Sequence, residues 1–249
     1  MQDRPAARRA ERPNRHPGAC RDAGPRAGVA PGMRRRGLLL LAAALPGCSV
    51  LPNRPYREVE RFVLAPERPP GPPPPRSGQV LLLRTMRAAP GLEQRGLRIL
   101  GARGEVTLQF WSEWTAPPVD LTEEALRRWL LASGRFRAVT APGSRLRADL
   151  ILEAELTRLQ AEPAEGVARA GLSGLLLDNG SAENRVLGQF PVEGTAPLPG
   201  GAQPEDRLAP ADAAAAMSAA LGMALGRLER ALGGAIGAGA GGGRVAGRR

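Results

Sequence analysis

The chain has 249 residues, 43% apolar and 3% aromatic, which allows one cored domain with tails or two small domains. Its formal charge of +11 is carried by Arg alone among the basic residues. Residues 1–48 hold ten Arg against three acids and residues 49–249 hold 25 against 21, an excess too scattered for a nucleic-acid surface. Past Cys48 there is no His, no Lys and no further Cys, which excludes His-based triads, Lys Schiff bases, a Walker lysine and Cys/His zinc sites.

Residues 1–32 are rich in Arg, Pro, Gly and Ala and contain Cys20 and His16. Such a stretch cannot hold a fixed partner, so no Cys20–Cys48 disulfide is expected. It reads as a mis-called upstream extension ahead of a true start at Met33, or as a long n-region. From Met33 the layout is that of a secretory signal peptide over residues 33–47. Arg34, Arg35 and Arg36 form the positive region and residues 37–45 the apolar one. Nine apolar residues fall well short of the roughly 20 that span a bilayer. Leu45, Pro46, Gly47 and Cys48 then resemble a bacterial lipobox, with Cys48 as the lipidated residue and Pro46 as the departure from the usual pattern. Ser49 stands where an Asp would resemble an inner-membrane retention signal, so outer-membrane sorting is expected.

Residues 48–55 read as a tether, and residues 56–64 as a first strand. Residues 65–78 are Pro-rich and read as an extended polyproline II loop. Short strands are expected at 79–84, 97–100 and 105–110. In the last, Val106, Leu108 and Phe110 alternate with Glu105, Thr107 and Gln109, the half-buried strand period. Asp120 and Glu123 have the spacing of a capping box. The helix they open puts Leu121, Ala125, Leu126, Trp129 and Leu130 on one face, and Gly134 stops it. A short strand at 136–139 follows. Residues 148–159 form the clearest strand, with Leu150, Leu152, Ala154 and Leu156 set against Ile151, Glu153 and Glu155. Residues 167–196 read as two strands joined near Asp178, Asn179 and Gly180, a hairpin signal. Residues 209–232 are helical, with Met217, Leu221, Leu225, Leu228 and Leu232 on one stripe, and Gly233 and Gly234 end the helix. Residues 234–249 are a Gly-rich tail expected to be disordered.

The expected architecture is α+β: a mainly antiparallel or mixed sheet with two amphipathic helices packed on one face. The domain spans residues 56–233. For chemistry the chain offers only carboxylates and hydroxyls. Glu153 and Glu155 fall on the solvated strand face, and Glu123 and Glu124 lie in a first helical turn, where they suit the helix dipole. Gly237, Gly239 and Gly242 match GxGxxG, but they follow a helix and no further helix can present its N-terminus to a pyrophosphate. No catalytic residue, metal site or cofactor is expected, beyond a covalent lipid on Cys48. Trp111 and Trp114, just past a strand end, are the candidate partner contacts.

The segment 113–162 carries a familiar pattern: Trp114, Pro117, Leu126, Leu130, Ser133, Gly134, Phe136, Val139, Ala148 and Asp149, ahead of a long alternating strand. It resembles the ABC-type transport auxiliary lipoproteins, the PqiC-like family, whose early aromatic strand position is held here by Phe62. The resemblance covers most of residues 48–232 and rests on packing patterns. It implies a non-catalytic accessory lipoprotein at the periplasmic face of the outer membrane, the inner membrane being the alternative. The implied partners are an MCE-domain protein and an inner-membrane ABC permease and ATPase that move phospholipids or other hydrophobic molecules. Self-assembly into a homo-oligomer is compatible with it. Two other readings stay open: a lipoprotein activator of cell-wall synthesis or surface assembly factor, and a lipid-anchored hydrolase using carboxylates.

Overall fold

The computed structural model describes residues 56–73, 75, 77–180 and 185–242. The signal and lipobox residues Leu45, Pro46, Gly47 and Cys48, together with Ser49 and the tether through residue 55, lie outside the described residues. In chain order the strands are β1 (Glu60–Phe62), β2 (Val80–Leu83), β3 (Arg87–Ala88), β4 (Gly96–Leu100), β5 (Val106–Trp114), β6 (Ala138–Thr140), β7 (Leu150–Glu162), β8 (Val167–Asp178) and β9 (Arg185–Pro197). The helices are α1 (Pro118–Ala132) and α2 (Pro210–Gly242).

β7 organises a single mixed sheet. One of its edges carries β8 antiparallel over nearly the full length, and β9 continues that meander. Its other edge is shared by three short parallel strands in succession, β2, β3 and β4. β6 extends the sheet beyond β2, and β5 and β1 extend it beyond β4. A 13-residue strand is long enough to serve three short partners in succession along one edge, and at its start Ile151 is buried as well as Leu150 and Leu152. The α+β architecture follows, and both helices contribute to one core against this sheet.

Alternation along β7 holds from Leu150 to Leu156 and then slips. Thr157 has no partner on β8: Leu156 pairs with Leu172, and Arg158 already pairs with Gly171. This one-residue bulge lets Leu159 and Ala161 enter the same core as Leu152, Ala154 and Leu156, although they stand at odd numbers. α2 supplies the opposite wall with Met217, Leu221, Leu225, Leu228 and Leu232, all fully buried. Its close approach to β9 depends on Gly194, where a Cβ would run into the Ala220 carbonyl.

Several boundaries differ from the sequence expectation. α1 begins at Pro118, not at Asp120. Pro at the first helical position has a preset φ and no N–H to satisfy, and no side chain caps the end. Glu123 therefore does not close a capping box; its carboxylate accepts the Met86 N–H at 2.6 Å. The short strand after α1 is Ala138–Thr140, and Phe136 is instead a fully buried core residue. The β8–β9 link is not a tight Asn-Gly turn. β8 ends at Asp178, which pairs with Arg185 at the start of β9, and the Asn179 side-chain amide turns back to donate to the Ala148 carbonyl at 2.8 Å. α2 runs through Gly233 and Gly234 to Gly242, so these glycines do not end it. Gly233 is a contact point: the Arg135 guanidinium lies where its Cβ would be.

Candidate functional site

Two surfaces stand out. The first is a groove of about 910 Å³ between α2 and the segment that follows β1. Its floor is the outward side of α2, where Ala215, Ala219, Gly222 and Gly226 keep the helix surface low, and Met223 forms a lip 48% exposed. Phe62, Val63 and Pro69 form the facing wall. The charged liners are Glu67, Arg227 and Arg230. The Ser218 hydroxyl is engaged by the Ala65 N–H at 3.4 Å, and the Arg227 guanidinium donates to the Glu193 carbonyl. The groove can desolvate an apolar chain or an apolar helix face. It brings together no nucleophile with a base.

A charged clasp closes one side of this groove. Glu229 on α2 accepts from Arg68 Nη2 at 3.1 and 3.2 Å and from Trp129 Nε1 at 2.8 Å. The Arg68 guanidinium also sits 5.7 Å over the Trp129 ring. The Pro-rich stretch is thereby pinned across α1 and α2: Leu64 is 2% exposed, and Pro72 occupies the space beside Gly134 at φ +68°. The polyproline reading of residues 65–78 saw the stiffness but not this packing role.

The second surface is aromatic. In the β4–β5 pair, Arg98 stands opposite Leu108 while Gly96 stands opposite Glu113, so two steps on β4 face five on β5. The three extra residues loop out as a wide bulge. Phe110 is 78% exposed and Trp111 37% exposed, and their rings meet edge to face at 4.9 Å. Arg57 reaches to 5.9 Å over the Trp111 ring. The expected alternation of Val106, Leu108 and Phe110 into the core is therefore wrong. Val106 and Leu108 pair with Leu100 and Arg98, whereas the buried Ile99 pairs with Thr107. Cross-strand partners share a face.

The two Trp candidates separate. Trp111 is on the surface, but Trp114 is 1% exposed and packs in the core, so it cannot be a partner contact. The odd number of inserted residues is what turns Trp114 inward. The other pattern residues also have packing roles. Ser133 Oγ donates to the Leu130 carbonyl at 2.6 Å and ends α1, and the Asp149 carboxylate accepts the Val80 N–H at 2.8 Å, joining β2 to the start of β7.

Of the carboxylates weighed for catalysis, Glu123, Glu124 and Glu153 are engaged structurally. Glu153 pairs with Arg84 at 2.6 Å, and Glu124 pairs with Arg127 and Arg128. A network beyond the expected end of β7 was not visible in the sequence. Glu162, 5% exposed, accepts from Gln160 at 2.8 Å and from Arg169 at 2.9 Å, and Arg169 also pairs with Glu165. Those hydrogen bonds, Glu162's first, push the Arg169 guanidinium above its already high ordinary value. Among the described residues no group of three or more His, Cys, Asp or Glu is placed to hold a metal ion. None of the helices described is long and apolar enough to cross a membrane.

Against known proteins, the family model described as ABC-type transport auxiliary lipoprotein component matches residues 62–231. No curated protein matches the chain. Protein XCC0632 from Xanthomonas campestris, of the DUF330 family, is similar in fold, with a TM-score of 0.57 at 22% identity over 69% of this chain and 93% of that one. CT253 from Chlamydia trachomatis aligns with a TM-score of 0.37 at 13% identity over 64% of this chain and 96% of its own. The PelC dodecamer from Paraburkholderia phytofirmans aligns with a TM-score of 0.36 at 15% identity over 64% and 93%.

Proposed function

Because the chain belongs to the ABC-type transport auxiliary lipoprotein component family, we propose that it is a lipid-anchored docking piece of an envelope transport system and performs no chemistry itself. The observation that carries this is the extent of the family match, residues 62–231, which runs from β1 into α2 and so takes in almost the whole folded domain. In this reading residues 33–47 are a removed signal peptide, Cys48 carries the lipid and residues 48–55 are the tether to a domain that starts at residue 56. The partners are an MCE-domain protein and an inner-membrane ABC permease and ATPase, and the cargo is phospholipid or another hydrophobic molecule. The apolar groove along α2 supports it, since Ala, Gly, Met and Phe offer hydrophobic contact and no reactive group. Ser49 assigns the anchor to the periplasmic face of the outer membrane; Ser49→Asp should shift the protein inward on a density gradient.

Crosslinking in intact cells followed by purification through the full, anchored chain tests the partner assignment. An MCE-domain protein with its permease and ATPase is the expected recovery, and deletion of the gene should make the envelope more permeable to detergents. Recovery of cell-wall synthases alone would replace this reading with the cell-wall activator. Turnover of a lipid or peptidoglycan substrate by the purified chain would replace it with the hydrolase.

A further inference from the structure

The tether enters the domain beside the β5 bulge. β1 runs parallel to β5 with Glu60 level with Ser112, so residues just before β1 lie alongside Phe110 and Trp111. The Arg57 guanidinium over the Trp111 ring confirms that approach. Tyr56, the first described residue, is 89% exposed. Seven residues lie between Cys48 and Tyr56, and the eight backbone steps, fully extended, reach at most about 29 Å. Three exposed aromatic rings and an arginine thus sit at the mouth of a short leash whose other end is a lipid.

We infer that this patch, formed by Tyr56, Arg57, Phe110 and Trp111, rests on the phospholipid surface that holds the anchor and fixes how the domain faces away from it. The inference rests on the lipoprotein reading above and adds a second membrane contact to it. The chemistry fits an interface. Trp and Tyr favour the headgroup level, where an apolar ring and a polar tip are both satisfied, and Phe inserts among the upper methylenes. Arg57 can lay its stem along the rings and keep its guanidinium among phosphates. The bulge supplies the geometry, because a regular strand would have sent Phe110 and Trp111 to opposite faces. A protein partner could also use exposed aromatics, but nothing ties such a partner to this particular edge, whereas the tether ties the membrane to it.

The test uses the full lipidated chain reconstituted into vesicles of phosphatidylethanolamine and phosphatidylglycerol, with and without brominated acyl chains. Trp114 and Trp129 are 1% and 5% exposed, so Trp111 is the Trp open to quencher. The expected result is that brominated lipid removes the Trp111 share of the emission, that Trp111→Phe abolishes this loss, and that Phe110→Ser reduces it. An anchored chain that floats with the vesicles but keeps its Trp111 emission overturns the patch and leaves the lipoprotein reading standing. A chain that does not float at all, and carries no fatty acid, overturns both. A photo-crosslinking residue at Phe110 that captures a protein in cells, in place of lipid, assigns the patch to a protein partner and overturns the membrane contact.

Discussion

Two bulges shape this sheet, and they do opposite things. In β7 a single extra residue, Thr157, is absorbed between Leu156 and Arg158, and the inward run continues with Leu159 and Ala161. In β5 three extra residues are expelled, and Phe110 and Trp111 are carried to the surface. The difference lies in what covers each strand. β7 is paired along both edges with α2 against one face, so its side chains have little choice but to refill the core. β5 pairs with β4 on one edge and, only over Ser112–Trp114, with the three-residue β1 on the other. Its middle has room to loop outwards. The same backbone irregularity preserves a core in one place and presents a surface in the other.

The largest effect should come from moving the irregularity in β7. Deleting Thr157 straightens the strand and keeps Leu156 and Leu159 inward, so the chain should still fold cooperatively. Deleting Glu153 should abolish folding. Even if the bulge straightens to rescue Leu159, Glu155 and Thr157 turn inward and Ala154 and Leu156 turn out, and burying an unpaired carboxylate costs several kcal/mol. Thermal melts followed by circular dichroism separate the two; equal loss of structure in both deletions would deny that Thr157 is a spare residue.

In β5 the comparison predicts unequal Trp residues three positions apart. Trp114→Ala should cost about 3–5 kcal/mol in denaturant unfolding, the usual range for an emptied core aromatic. Phe110→Ser with Trp111→Ser should change stability by less than about 1 kcal/mol, as befits surface positions. Similar losses for the two would place Trp111 in the core. The smallest effect is expected at the β4–β5 turn. Glu105 has its carboxyl held below the ordinary value, first by a hydrogen bond from its own backbone N–H and then by Arg103. A lowered folded-state value stabilises above the unfolded one and is lost as pH falls through the folded value. Glu105→Gln should therefore flatten a slight loss of stability in the acid range, read from melts across pH.

Much of this fold could be read from the residues. Leu150 to Leu156 marked β7, the Met217 to Leu232 stripe marked α2, and both are buried as their spacing required. The pattern Trp114, Ser133, Gly134, Phe136, Asp149 pointed to the family, and each of these residues proves to hold elements together. The bulges were not legible, because alternation counts residues and a bulge is a residue that does not count. That blind spot hid Leu159 from the core and Trp111 from its place on the bulge, whereas Phe110 was misplaced because its whole alternating face points outwards, and Trp114 because β5 runs on past residue 110. The groove was hidden for another reason: its wall is a Pro-rich segment whose place is set by Glu229, Arg68 and Trp129, far apart in sequence.

Anchoring through Cys48 underlies both the docking role and the orientation of the aromatic patch. Cells grown with a radioactive fatty acid and expressing either the wild-type chain or Cys48→Ser test it directly. The account predicts label on the wild-type chain only, with no peptide from residues 1–47 in its membrane fraction. Equal label on both chains, or none on the wild type, would contradict it.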